Sequence, residues 1–381
     1  MNFDRVDEYL KRELKKEKTY GMSCRVMQGY ETVYNKSFGF SDKENGKKMR
    51  GNELYNLYSM TKPLTCTAAL QLFEKGYFLL NDPLYEYIPE FRDMTFKDVD
   101  GVIKKCSRDI LIRDLFTMTA GFDYNLEGEF VKSARENGKT DTLSVIKELS
   151  KYPLSFEPGE HWQYSLCHDV LAALVETVSG EKFSEYVEKN IFAPLGMKRS
   201  GFNPKDFNEG DFAVQYKFNE KTQKTERTNL QNMFRLSNEY ESGGAGLISC
   251  IDDYSKFAMA LANGGIGESG AKILGGRTIG LMKRNHLTPE QLPTLDWREL
   301  TGFGYGLGVR TLMNPEKAET NAPVGEFGWN GAAGSYLLVD TENKISIVYT
   351  QHLLNGYGSG IHLPLTNIIY ACFDCKTEEI K

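Results

Sequence analysis

The chain is poor in the features that mark whole classes of protein. No apolar run approaches the roughly 18–20 residues that a helix needs to cross a bilayer, so no spanning helix is expected in its 381 residues. The opening Met1-Asn2-Phe3-Asp4-Arg5-Val6-Asp7 lacks the basic-then-apolar build of a secretory signal, which points to the cytoplasm. There is no excess of basic charge: 46 Lys and Arg stand against 52 Asp and Glu, for a net charge of −6 and a pI near 5.6. That balance argues against nucleic acid or an anionic membrane as partner. Cysteines number seven, an odd count scattered from Cys24 to Cys375, and read as reduced thiols rather than a disulfide framework. Cys372-Phe373-Asp374-Cys375 has no second CxxC to complete a zinc site, and the five histidines show no HExxH spacing. A GxSxG elbow and a GxxxxGK[ST] phosphate loop are both missing. Neither a metal nor a cofactor is expected. No internal repeat or low-complexity tract interrupts an ordinary globular composition, 40% hydrophobic and 26% charged.

What is present is Ser59-Met60-Thr61-Lys62. Positions i and i+3 share a helix face, so the lysine amine can reach the serine oxygen. A serine hydroxyl is a weak nucleophile until a base takes its proton, and a lysine in a dry site loses its preference for charge. Three other Ser-x-x-Lys matches occur, at Ser144, Ser179 and Ser269. Ser144 falls within the amphipathic run Thr142–Leu149, and the other two stand beside glycines and read as turns or a helix end. Ser59 alone lies between an extended Leu54–Tyr58 and a long apolar helix candidate, Pro63–Gly76. It is either a nucleophile at the positive end of that helix or simply its cap.

Two further stretches stand out. In Glu157–Ser165, a Pro-Gly turn leads to Tyr164 at the mouth of a helix candidate from His168. Its hydroxyl is either a proton carrier beside an ammonium or a core tyrosine bonded to a carbonyl. In Glu326–Ser335, glycines let the backbone approach a ligand, so the segment is either an oxyanion-binding strand end or a glycine-rich turn.

Along the chain, residues 3–16 read as a one-sided helix, and Ser23–Gln28 with Thr32–Phe38 as a hairpin about Gly29-Tyr30-Glu31. Helical stretches Ile110–Met118, Thr142–Lys151 and His168–Val178 follow, with few strand candidates. Gly302–Leu312, Ser335–Asp340 and Lys344–Gln351 read as strands, and Pro364–Phe373 as a closing helix. Strands thus gather at both ends. The expected fold is α/β (α+β): an antiparallel sheet flanked by helices, built from both termini, with an inserted helical lobe. The expected division is 1–76 and 215–381 for the α/β lobe and 77–214 for the helical lobe, with a site in the cleft between them. The segment 204–240, rich in Asn, Lys and Gln, is a lid or a solvated loop.

In their order and spacing, these three stretches resemble the serine β-lactamase and penicillin-binding protein superfamily over nearly the whole chain. They are most similar to class C β-lactamases, D,D-peptidases and family VIII carboxylesterases. Ile112–Phe122, Phe156–Gly159, Gly243–Ser249 and Gly302–Gly308 add to the likeness. The resemblance implies a two-lobed fold, Ser59 as acylated nucleophile, Lys62 as its helper base and Tyr164 as the second-motif tyrosine. It implies an oxyanion hole from the N–H groups of Ser59 and Ala332, with Gly331, Asn330 and Trp329 in the third motif. Two departures matter. Leu166 stands where that family's second motif carries asparagine, and it has no amide to offer a substrate. Trp329-Asn330-Gly331 replaces Lys-Thr-Gly or His-Thr-Gly, so the cation that meets a substrate carboxylate is missing, and Arg310 is the residue to check in its place. The resemblance to family VIII esterases implies a small-molecule ester as substrate. A β-lactamase or amide-cleaving D,D-peptidase is the alternative, and a non-catalytic binding protein of the same fold is a third.

Overall fold

The computed structural model describes residues 1–356 and 358–373. Its frame is an eight-stranded sheet, in the order Phe303–Tyr305, Arg310–Leu312, Phe327–Asn330, Tyr336–Asp340, Ile345–Gln351, Gly21–Gln28, Glu31–Asp42 and Lys47–Lys48. Every neighbouring pair is antiparallel. The two ends of the chain meet at the centre, where Cys24 faces Tyr349 and Val26 faces Ile347. All seven residues of Ile345–Gln351 are buried, which requires cover on both sheet faces. The helices Ile251–Ala262, Asp4–Leu14 and Gly358–Tyr370 supply cover, the last two joined by Tyr9 Oη donating to the Ile361 carbonyl at 3.1 Å.

The helix Thr61–Glu74 is buried from Thr61 through Leu72, all round rather than on one stripe. Such a helix belongs inside a protein. It packs against Cys167–Ser179, a helix of the middle region, which also holds Ile112–Thr117, Glu129–Glu136 and Thr142–Leu149.

Several expectations need correction. Gly302–Leu312 is two short strands about a turn, not one. The middle region contains a small hairpin, Thr95–Lys97 with Ile103–Lys105, that its short and polar sequence hid. The closing helix begins at Gly358, so Pro364 lies inside it rather than at its start. Ser59 does not cap the helix: it sits in a 3-10 turn, Tyr58–Met60, ahead of it. The segment 204–240 carries a hairpin, Tyr216–Asn219 with Lys224–Arg227, extended by a parallel pairing to Leu353–Leu354. Cys375 of the CxxC lies outside the described residues.

Candidate active site

The turn bearing Ser59 is held from several sides. The strand Leu54–Asn56 pairs with Ile248–Cys250, and the Leu57 N–H donates to the Leu247 carbonyl at 2.9 Å. Thr61 Oγ1 donates to the Tyr58 carbonyl at 2.5 Å and accepts the Leu247 N–H at 3.0 Å. Tyr254 Oη donates to the Met60 carbonyl at 2.7 Å. The chain turns into the helix through Tyr58, whose φ of 49° is left-handed. A bulky residue adopts that conformation only where its surroundings impose it, at a cost of about 1–3 kcal/mol. Tyr58 is buried, and its hydroxyl donates to Gln215 Oε1 at 2.6 Å.

Ser59, Lys62 and Tyr164 come together as the sequence predicts. Ser59 Oγ accepts from Lys62 Nζ at 3.2 Å and from Tyr164 Oη at 2.5 Å. Lys62 is completely buried and Ser59 is 8% exposed. Lys62 Nζ donates to the Gly244 carbonyl at 2.7 Å and lies 4.5 Å from the centre of the Tyr164 ring. Trp329 Nε1 donates to Tyr164 Oη at 3.4 Å, and the two rings stack at 5.8 Å.

The strand end after Phe327–Asn330 closes on the serine turn. Gly331 must be glycine, because a Cβ there would overlap Ser335 Oγ and the Leu57 carbonyl. Its neighbour Ala332 is exposed at the pocket, and the backbone N–H groups of Ser59 and Ala332 make no hydrogen bond to the described protein. Two free donors flanking a nucleophile suit a developing oxyanion. The pocket is a cavity of about 270 Å³, walled by Trp297, Leu300, Trp329 and Tyr164, with Asn330 on its lining.

Arg310 also reaches this pocket, but its guanidinium is committed. It donates to Tyr336 Oη at 3.0 Å and the Leu337 carbonyl at 3.2 Å, and faces Glu326 Oε2 at 3.6 Å. Burial pushes the Glu326 carboxyl up to about 7, against the pull of Arg310.

Sequence reasoning missed the residues behind Lys62. Tyr124 stacks on Tyr164 at 5.4 Å, and its hydroxyl lies 3.5 Å from Lys62 Nζ. Asp169, fully buried, accepts from Ser242 Oγ at 2.7 Å and Tyr240 Oη at 2.9 Å, and burial raises its carboxyl above the usual range. Gly244 passes so close that a Cβ would meet Asp169 Oδ2 at 2.6 Å and Tyr124 Oη at 2.9 Å. This crowding is what brings the Gly244 carbonyl onto Lys62. Glycine at 243–244 was the available signal. His168 lies nearby but is no base: burial drives it down to about 3. No His, Cys, Asp and Glu grouping among the described residues is arranged to hold a metal. No helix among them is long and apolar enough to cross a membrane.

A family model described as Beta-lactamase matches residues 6–363. Esterase EstB of Burkholderia gladioli is 26% identical, over 96% of this chain and 95% of that protein. The putative penicillin-binding protein PbpX of Bacillus subtilis (strain 168) is 30% identical over 68% of this chain and 58% of that protein. Among solved structures, EstCE1, a hydrolase with promiscuous acyltransferase activity, superposes with a TM-score of 0.80 at 25% identity, covering 96% of this chain and 98% of that one. Simvastatin synthase (LovD) from Aspergillus terreus shares the fold, with a TM-score of 0.82 at 20% identity and 98% of each chain covered.

Proposed function

The chain belongs to the Beta-lactamase family, and from that premise we propose that it is a serine hydrolase cleaving small esters through an acyl-enzyme on Ser59. The observation that carries the reading is the meeting of Ser59 Oγ with Lys62 Nζ and Tyr164 Oη beneath an indole wall, in a pocket whose Arg310 faces Glu326.

Ser59 Oγ attacks the ester carbonyl, and its proton passes, directly or through Tyr164 Oη, to Lys62 acting as the uncharged amine. The carbonyl oxygen, now an anion, takes the N–H groups of Ser59 and Ala332. The bond to the alcohol oxygen breaks, and the proton returns from Lys62 to that oxygen. Water then attacks the acyl-serine by the same route and releases the acid. Trp329 and Trp297 cover the apolar part of the ester, and Asn330 and Gly331 shape the approach to the hole. Tyr124 and the Asp169–Gly244 contact hold Lys62 in place. A neutral ester suits these walls better than a carboxylate-bearing lactam or peptide, because Arg310 is already turned to Tyr336 and the Leu337 carbonyl and faces the Glu326 carboxyl as its charge partner.

The reading takes the chain as two lobes, 1–76 with 215–381 and 77–214, with the site in their cleft. It places the enzyme in the cytoplasm, working on small molecules; the six free thiols among the described residues support a reducing compartment. The test is p-nitrophenyl butyrate turnover with active-site labelling. Wild type turns over and takes a fluorophosphonate at Ser59, and Ser59→Ala does neither. A label located by mass spectrometry on Ser144, Ser179 or Ser269 refutes the assignment.

A further inference from the structure

A second cavity, of about 350 Å³, shares no lining residue with the Ser59 pocket. It lies where the helix Glu129–Glu136 meets the segment 230–240, and two guanidiniums line it, those of Arg135 and Arg235. Neither forms an ion pair among the described residues. Arg135 Nη2 donates to the Leu236 carbonyl at 2.9 Å. Arg235 Nη2 donates to the Asn238 carbonyl and, at 3.3 Å, to Asn203 Oδ1. Its Nε–H is buried without an acceptor. These partners are neutral oxygens, and each guanidinium keeps an Nη1 that makes no hydrogen bond among the described residues. Glu241 and Asp206 act on Arg235 only at longer range, and neither lines the cavity. Burial without a paired carboxylate pulls Arg235 below its ordinary range. Arg135 and Arg235 line one common space.

We propose that this cavity binds a small molecule bearing a doubly charged oxyanion, a phosphate or a dicarboxylate, held between Arg135 and Arg235. Planar guanidinium forks match such oxygens in pairs, and two uncompensated charges call for a dianion. The cavity wall adjoins the catalytic side of the molecule through its neighbours. Phe234, next to Arg235, packs edge-on against Tyr58 and Tyr124. Tyr240, in the cavity wall, donates to Asp169. A dianion tying the segment 230–240 to the middle helices therefore steadies the wall behind Lys62.

The test is isothermal titration calorimetry of the full chain with inorganic phosphate and with succinate, at ionic strength matched with sodium chloride. Saturable binding of either, retained in Ser59→Ala, is expected, with the dissociation constant raised at least tenfold in Arg135→Gln and in Arg235→Gln. Which of the two probes binds names the oxyanion. No saturable binding of either probe, or binding unchanged in Arg135→Gln, overturns the proposal. Arg135 is exposed and its replacement removes no buried group, so that variant, with its melt recorded beside wild type, decides the matter even where Arg235→Gln unfolds.

Discussion

Replacing Tyr164 with phenylalanine deletes one oxygen and leaves a ring. That ring keeps its stacking on Tyr124 and Trp329 and its place beside Lys62 Nζ. What disappears is the donor 2.5 Å from Ser59 Oγ and the acceptor 3.4 Å from Trp329 Nε1. As a matter of stability, the two lost hydrogen bonds cost about 0.5–1.5 kcal/mol each. For a chain of this size that lowers the melting temperature by no more than about 2–4 °C per kcal/mol. As a matter of catalysis, losing a general acid–base group costs about 10²–10⁴ in rate, or about 2.7–5.5 kcal/mol of barrier at 1.36 kcal/mol per decade. The two scales are far enough apart to be read separately. Steady-state kinetics on p-nitrophenyl butyrate, with thermal denaturation of the same samples, should show a melt lowered by several degrees with the enzyme still folded at assay temperature, and kcat/KM down at least a hundredfold. Lys62→Ala should cost a similar factor, and the double variant little more, because the two groups act as one unit. A Tyr164→Phe enzyme within threefold of wild type would make the tyrosine a packing residue and remove it from the proton path.

Three further outcomes are expected. Nitrocefin should be a far poorer substrate than p-nitrophenyl butyrate in side-by-side kcat/KM measurements, since a carboxylate left without a cation in this pocket forfeits several kcal/mol; nitrocefin ahead by tenfold would show that Arg310 leaves Glu326 to anchor it. Gly331→Ala forces a methyl into Ser335 Oγ and the Leu57 carbonyl, so the Ala332 N–H moves and kcat should fall by about 10²-fold or more, the scale of a lost oxyanion donor, while an unaltered kcat excludes that donor. Glu176, raised to about 7 by burial with Glu241 and Asp141 beside it, keeps a proton in the folded state that the unfolded chain gives up near its ordinary value of 4.5. Folding therefore loses stability as pH rises through that window. Glu176→Gln should melt with wild type at pH 4.5 and several degrees above it at pH 8; equal melts at both pH values contradict the shift.

The parts of this fold that could be read from sequence are those whose signals are local. The hairpin about Gly29-Tyr30 and the pair Tyr336–Asp340 and Ile345–Gln351 combine apolar β-formers with a turn between them. Ser59 and Lys62 were legible because helix geometry alone joins them. Tyr164 and the 329–332 stretch came from order along the chain, which carries no distance. Tyr124 had no signal at all: it comes from an irregular segment and reaches Lys62 only through tertiary packing. Asp169 reads as one polar residue on an apolar helix, and its importance appears only once Gly244 is seen against it. Proline misled at 364, since a missing N–H marks a first turn in most helices but does not forbid an interior position.

The pairing of Gly21–Gln28 with Ile345–Gln351 sets a schedule for synthesis. A ribosome adds about 5–20 residues each second, so the early strand waits on the order of 15–60 s for the neighbour that completes the sheet. Ser59, Lys62 and Tyr164 all leave the tunnel during that wait, well before Gly331 and Ala332. A nascent chain thus holds its nucleophile ahead of the groups that stabilise an oxyanion, with one side of its first hairpin unpaired. Stalled chains ending before residue 327 should consequently be protease-sensitive around the hairpin and inert toward a fluorophosphonate. Protection and labelling should then appear together once the Ile345–Gln351 strand has emerged.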